Sequence, residues 1–278
     1  MSSNINYAKA FGIHSAAAAF IFAILYLPFV GWFIRQSFVR PTYVHFILVV
    51  FTLIRLGAFI LRGILATVES VGEDLSALMA AEVLFGAGFF SLLYASYTLV
   101  LDLEIMQNRP ESSNPLIRLT KNRRIFRLTL VIAVILGIIA ATSVSDSGVV
   151  SSSGQAMRTA STIIFLVLTI LQAFQTFMLA QMEIATRGRE KRDNESFGAR
   201  HSMSILFIGA ALLLVREIFA TATMTNLAKQ NDEHFWYPLM ATPEILVVAL
   251  MSIPGLVPRR DEVNRRNPQD LSMQSLQA

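Results

Sequence analysis

Apolar residues along this chain gather into seven long runs separated by short polar stretches. The runs extend from Phe11 to Ile34, Tyr43 to Ala66, Ala77 to Leu101, Arg127 to Ala141, Ala160 to Met182, Met203 to Met224 and Tyr237 to Ile253. Most approach the ~20 residues that a helix needs to cross a ~30 Å hydrocarbon layer. Backbone polar groups in lipid must be paired within the segment, so each run is predicted to be a helix and not a strand. The pattern predicts an all-α polytopic membrane protein with seven transmembrane helices over residues 1–255, followed by a short disordered polar tail over 256–278. The first run is longer than a signal-peptide core and is read as a retained helix.

Composition agrees with that reading. Of 278 residues, 54% are hydrophobic and only 15% are charged, too few to give a soluble domain of this size its polar surface. The absence of cysteine rules out disulfides, thiolate metal sites, cysteine nucleophiles and palmitoylation. It also rules out the disulfide that ties the third helix of most rhodopsin-like receptors to an outer loop.

The distribution of charge predicts orientation. Of the 23 lysines and arginines, 17 fall after spans one, three, five and seven. Only Lys9, Arg158 and Lys229 fall on the opposite side, and Arg55, Arg62 and Arg216 lie inside spans. The positive-inside rule then places the N-terminus outside or in the lumen and the C-terminus in the cytoplasm. The outer loop at 67–76 is acidic, and that at 142–159 is serine- and glycine-rich and expected to be flexible. The sequon at Asn194 falls in a cytoplasmic loop and is expected to stay unglycosylated. The basic cytoplasmic loops suit attraction to anionic lipid.

Charges inside the spans carry most of the functional signal. Arg55 and Arg62 are seven residues apart, so both lie on one face of span two. Glu82 in span three matches Arg62 in depth, and Glu244 in span seven matches Arg216 in span six. Glu217 completes a set of three arginines and three glutamates, in which mutual pairing removes much of the penalty of burial. Gln172, Gln175 and Thr176 add a polar patch on span five. Ser202, Gly209, Arg216 and Thr223 form a small-polar stripe on span six. Pro243 disturbs its helix beside Glu244. These residues predict either an outward-opening polar pocket between spans two, three, six and seven, or an ion-pair network that only fixes helix packing.

Other motifs point away from chemistry. Gly86-Ala87-Gly88 lies mid-span with no preceding strand, so it reads as small-residue helix packing and not as a nucleotide loop. The four histidines, on different segments, have no metal-ligand spacing. No lysine lies within a span, which excludes a retinal Schiff base. Asp102-Leu103-Glu104 ends span three without the arginine of the receptor Asp-Arg-Tyr motif, and span seven has no Asn-Pro-x-x-Tyr. No catalytic residue, metal or cofactor is expected, and the chain is read as non-enzymatic.

The stretches IRLGAFILRG at 54–63, LLLVREIFATA at 212–222 and TPEILVVALMSIPGLVP at 242–258 resemble a group of fungal seven-helix proteins. That group is distantly similar to lipid-translocating exporters of the RTA-like class. The exporters carry a glutamate ahead of the span-two arginine and a second arginine in span six. Here Arg55 stands in the first region, and Arg216 has no second arginine beside it. The resemblance implies a fungal membrane protein without supplying a mechanism. Three readings stay open: a receptor-like or ligand-binding bundle, a lipid translocator or exporter, and a structural scaffold. The expected partners are membrane lipids and a small-molecule or lipid ligand, with no nucleic acid; a cytoplasmic partner is left unassigned.

Overall fold

Seven helices long and apolar enough to cross a membrane form in the computed structural model, which describes residues 6–106, 122–143, 151–186, 196–259 and 261. They are α1 (Ala16–Val39), α2 (Tyr43–Thr67), α3 (Leu75–Met106), α4 (Arg123–Thr142), α5 (Ser152–Thr186), α6 (Ser202–Thr223) and a seventh span over Glu233–Met251 that ends in α7 (Thr242–Met251). A helical turn at Glu233–Trp236 and a π-helical segment at Tyr237–Ala241 lead without a break into α7. Short helical turns at Tyr7–Ala10, Glu69–Gly72, Phe197–Arg200 and Leu227–Gln230 decorate the connections. There is no strand among the described residues. The all-α, seven-span architecture and the multi-pass membrane character expected of the chain are therefore present.

The helix boundaries differ from the apolar runs where local chemistry intervenes. The first span does not begin at Phe11. Gly12 takes a left-handed conformation (φ 87°) that stops the Tyr7–Ala10 turn, and α1 starts only after Ser15. Ser15 caps α1 by accepting from the Ala18 N–H, and the Glu233 carboxylate accepts from the N–H groups of His14 and Ser15. α5 begins at Ser152, eight residues before its apolar run. Ser151 accepts from the Gly154 N–H, and Gln155 donates to the Met224 carbonyl, so residues 152–159 are helix and not flexible loop. Arg158 is thereby moved from the loop into a spanning helix. The disturbance expected ahead of Pro243 takes the form of the π segment, which ends two residues before that proline.

Neighbouring helices pack in chain order, and α3 also touches α5 and α6. Residues Ser91–Leu101 of α3 are buried without interruption, which makes α3 the central helix. Large apolar side chains such as Ile24, Leu128, Ile132, Phe207 and Ile218 point outward, as a surface facing lipid requires. Two ends of the bundle can be distinguished by contact. Residues 6–15, Gly72, Arg158 and 224–233 meet at one, here called the N-terminal face. At the opposite face Gly198 packs on Pro254 and Leu256, and Asp102 pairs with Arg123. Leu256 and Val257, the first residues of the expected tail, are buried. Asn194 and most of the basic loops after α3 and α5 lie outside the described residues.

Candidate functional site

Four ionisable side chains meet in the interior between α2, α6 and α7. Arg55 Nη2 donates to Glu244 Oε1 at 2.6 Å. Arg55 Nε lies 2.6 Å from Oε2, outside hydrogen-bonding geometry, so that second contact is ionic. Arg216 Nε donates to the same Oε1 at 3.2 Å, and Arg216 Nη1 donates to Glu217 Oε1. Arg55 also donates to the Phe85 carbonyl at 2.9 Å. All four side chains are buried, and their formal charges cancel. Such a cluster is tolerated because each charge has a partner at contact distance; a lone one would cost several kcal/mol.

Aromatic faces supply further compensation. The Arg55 guanidinium lies 5.1 Å from the Phe85 ring centre and 5.4 Å from that of Phe51. Arg216 lies 3.7 Å over Phe89. A desolvated cation over a ring is stabilised by about 2 kcal/mol or more.

Arg62 behaves differently from expectation. No ion pair or hydrogen bond joins it to Glu82. Its guanidinium stacks on Trp236 at 4.0 Å and donates weakly to Asn231, at 3.4 Å to the side-chain oxygen and 3.5 Å to the carbonyl. Asn231 in turn donates to Glu82 Oε1 at 3.3 Å. Glu82 is paired instead with Arg158, whose Nη2 lies 3.7 Å away, and Arg158 donates to Gln230. Equal depth placed Arg62 and Glu82 in one layer, but residues 230–231 enter between them.

A cavity of about 160 Å³ adjoins this layer. It lies between α3, α4, α5, α6 and residues 230–240, not between spans two, three, six and seven as the charges had suggested. Its mouth, at the N-terminal face, is formed by Phe11, Leu75, Arg158, Gln230 and Asn231. Its floor is Phe89, Phe165, Val134 and Arg216, and the rings of Phe89 and Phe165 meet edge to face at 5.5 Å. From Leu75 to Phe89 is about 21 Å along α3 at 1.5 Å per residue. A core cavity of ~150 Å³ holds a benzene-sized molecule, so this space suits a ligand of that bulk.

One lining group has unused hydrogen-bonding capacity. Glu217 Oε1 is taken by Arg216, but Oε2 is buried with no hydrogen-bond partner. A buried carboxylate oxygen without a donor is a rare arrangement. Of the side chains marked in the sequence, the cavity gathers Glu82, Arg216 and Glu217. Arg55, Arg62 and Glu244 lie behind its wall. Gln172 and Gln175 lie deeper on α5 and do not line it; Gln172 donates to Thr176 at 3.3 Å.

Sequence reasoning missed Arg158, Gln230, Asn231 and Trp236. Arg158 was counted with its loop because the apolar run starts two residues later. The other three sit in a polar connection with no periodicity to mark them. No protein-family model, curated protein or solved structure matches this chain.

Proposed function

We propose that this chain is a non-enzymatic, receptor-like seven-helix membrane protein that binds a small ligand in the cavity between α3, α4, α5 and α6. The reading rests on one observation: a cavity of about 160 Å³ at membrane depth, lined by Glu82, Arg158, Arg216 and Glu217 among apolar side chains. A scaffold built only to pack helices gains nothing from such a cavity, because side chains lining an empty space lose packing contacts. A lipid translocator would need polar lining to continue toward the opposite face. Here the lining ends at Phe89 and Phe165, and the next buried polar side chains on α5, Thr169 and Gln172, lie outside the cavity. Gly86 offers a direct test, since a side chain there enters open space. Gly86→Leu should fold, fill the cavity and abolish ligand-induced thermal stabilisation in a small-molecule screen on purified protein. Hits that stabilise the variant as strongly as the parent would overturn the assignment.

The charge distribution supports a cavity mouth on the extracellular or lumenal side, with the N-terminus on that side and the C-terminus in the cytoplasm. In sealed cells, tags at the two termini are expected to be protected on opposite sides. Glycosylation of the native Asn194 sequon would reverse the orientation.

A further inference from the structure

Two rows of side chains run down the cavity wall side by side. On α3, Glu82 lies at the mouth and Phe89 at the floor; on α5, Arg158 lies at the mouth and Phe165 at the floor. Both intervals are seven residues, so each pair shares one helix face and is separated by about 10 Å at 1.5 Å per residue. The rows approach each other at both ends. Glu82 Oε2 lies 3.7 Å from Arg158 Nη2 at the mouth, and the two ring centres lie 5.5 Å apart at the floor. Between the ends, on α3, is Gly86, where a Cβ would meet no atom within 4 Å. The cavity is therefore charged at one end and aromatic at the other.

The charged end has unfilled hydrogen-bonding positions. At 3.7 Å the Glu82–Arg158 contact is ionic and too long for a hydrogen bond. Adjacent residues of one connection orient the two partners: Gln230 accepts from Arg158 Nη2, and Asn231 donates to Glu82 Oε1. Glu82 Oε2 and the Nε and Nη1 atoms of Arg158 have no hydrogen-bond partner among the described residues, and none of the three is closed off from the surface. The two side chains are 31% and 17% exposed. Arg216 and Glu217, the other charged residues of the wall, are buried and bonded to each other.

A lone cation at Glu82 would face Arg158, and a lone anion at Arg158 would face Glu82. A molecule that carries both charges meets each partner with the right sign and leaves the net charge unchanged. Its two charged groups must be close together, as an ammonium and a carboxylate are on one carbon. The space below them suits a benzene-sized group.

We infer that the cavity binds a free α-amino acid with a large apolar side chain, its carboxylate accepting from Arg158, its ammonium donating to Glu82 Oε2 and its side chain passing Gly86 to the Phe89–Phe165 floor. This inference rests on the ligand-binding reading above and names its ligand class. A phospholipid headgroup with an ammonium and a phosphate carries the same pair of charges, and the test separates the two sources.

The test uses the full-length protein purified in detergent, with thermal unfolding as the readout and L-phenylalanine as the probe. Phenylalanine should raise the unfolding midpoint. Phenethylamine and 3-phenylpropionate each lack one charge and should bind about tenfold more weakly, the effect of losing one charge-assisted hydrogen bond. Glu82→Gln should invert the order, with 3-phenylpropionate binding at least as tightly as phenylalanine, because the anion no longer faces a carboxylate. A purely structural role for Glu82 would not produce that inversion. Gly86→Leu should abolish the response to all three. Binding of either single-charge analogue to the parent as tightly as phenylalanine would overturn the zwitterion assignment and leave a ligand cavity standing. Tighter binding of O-phosphoethanolamine than of phenylalanine would assign the pair to a lipid headgroup and overturn the amino acid. No response to phenylalanine, with screening hits that Gly86→Leu abolishes, would overturn this inference alone. Hits that stabilise Gly86→Leu as strongly as the parent would overturn the ligand-binding reading as well.

Discussion

Glu244→Ala should be among the most destabilising single substitutions in the membrane-spanning part of this protein, with an expected loss of about 3–5 kcal/mol. Among the described residues Glu244 is the only carboxylate that pairs with Arg55, and it also accepts from Arg216. Removing it leaves Arg55 buried with one carbonyl and two ring faces. Arg216 suffers less, because Glu217 remains its partner. The asymmetry sets the order of the rescue experiments. Arg55→Leu placed on Glu244→Leu should recover a substantial part of the loss, because the stranded cation goes with its partner. Arg216→Leu on the same background should recover little, since it strands Glu217 in turn. Glu244→Gln keeps an acceptor and the volume, so its loss should be smaller than that of alanine. Unfolding in detergent, followed by denaturant titration, reads these variants together with Arg55→Leu alone. If the Arg55 and Glu244 losses simply add, the two side chains do not meet as described.

The bundle itself was legible because the bilayer imposes one rule on every span: an apolar run long enough to cross and a backbone paired within itself. What the rule does not encode is rotation about each helix axis and which helices are neighbours. Arg216 and Glu244 match in depth and meet, because α6 and α7 pack directly. Arg62 and Glu82 match equally well and do not meet, because Asn231 and Trp236 take up the arginine. Depth is a one-dimensional coordinate and cannot separate these two cases. Arg55 shows the same limit. It was assigned no partner, yet its contact with Glu244 is the closest pairing in the cluster after that between the adjacent residues Arg216 and Glu217. The helix ends were missed for a different reason. α5 is extended by capping and by two long-range hydrogen bonds from Gln155 and Arg158, and neither effect registers in apolar periodicity.

Two glycines on α3, two residues apart, should respond to alanine with opposite signs. In an exposed helix Gly→Ala normally stabilises by about 1 kcal/mol, because alanine loses less backbone freedom on folding. Gly86→Ala should follow that rule, since the new Cβ meets nothing within 4 Å. Gly88→Ala should break it. Its Cβ would lie 2.8 Å from Arg55 Nη1 and 2.9 Å from Arg55 Cζ, closer than nonbonded atoms approach. Normally the end of a flexible arginine would swing aside at little cost. Here the guanidinium is held by Glu244 on one side and by the Phe85 carbonyl on another, between the rings of Phe51 and Phe85. Moving it lengthens charge-assisted hydrogen bonds in a dry interior, where they count most. Overpacking of this kind costs about 1–3 kcal/mol, enough to outweigh the helix-propensity gain. The cause can be isolated by repeating the substitution in an Arg55→Leu, Glu244→Leu background. With the guanidinium gone, Gly88→Ala should become neutral or stabilising, as Gly86→Ala is in the parent. A Gly88→Ala protein that is more stable than the parent would mean that Arg55 does not lie against α3, and that the pairing of Arg55 with Glu244 is built some other way.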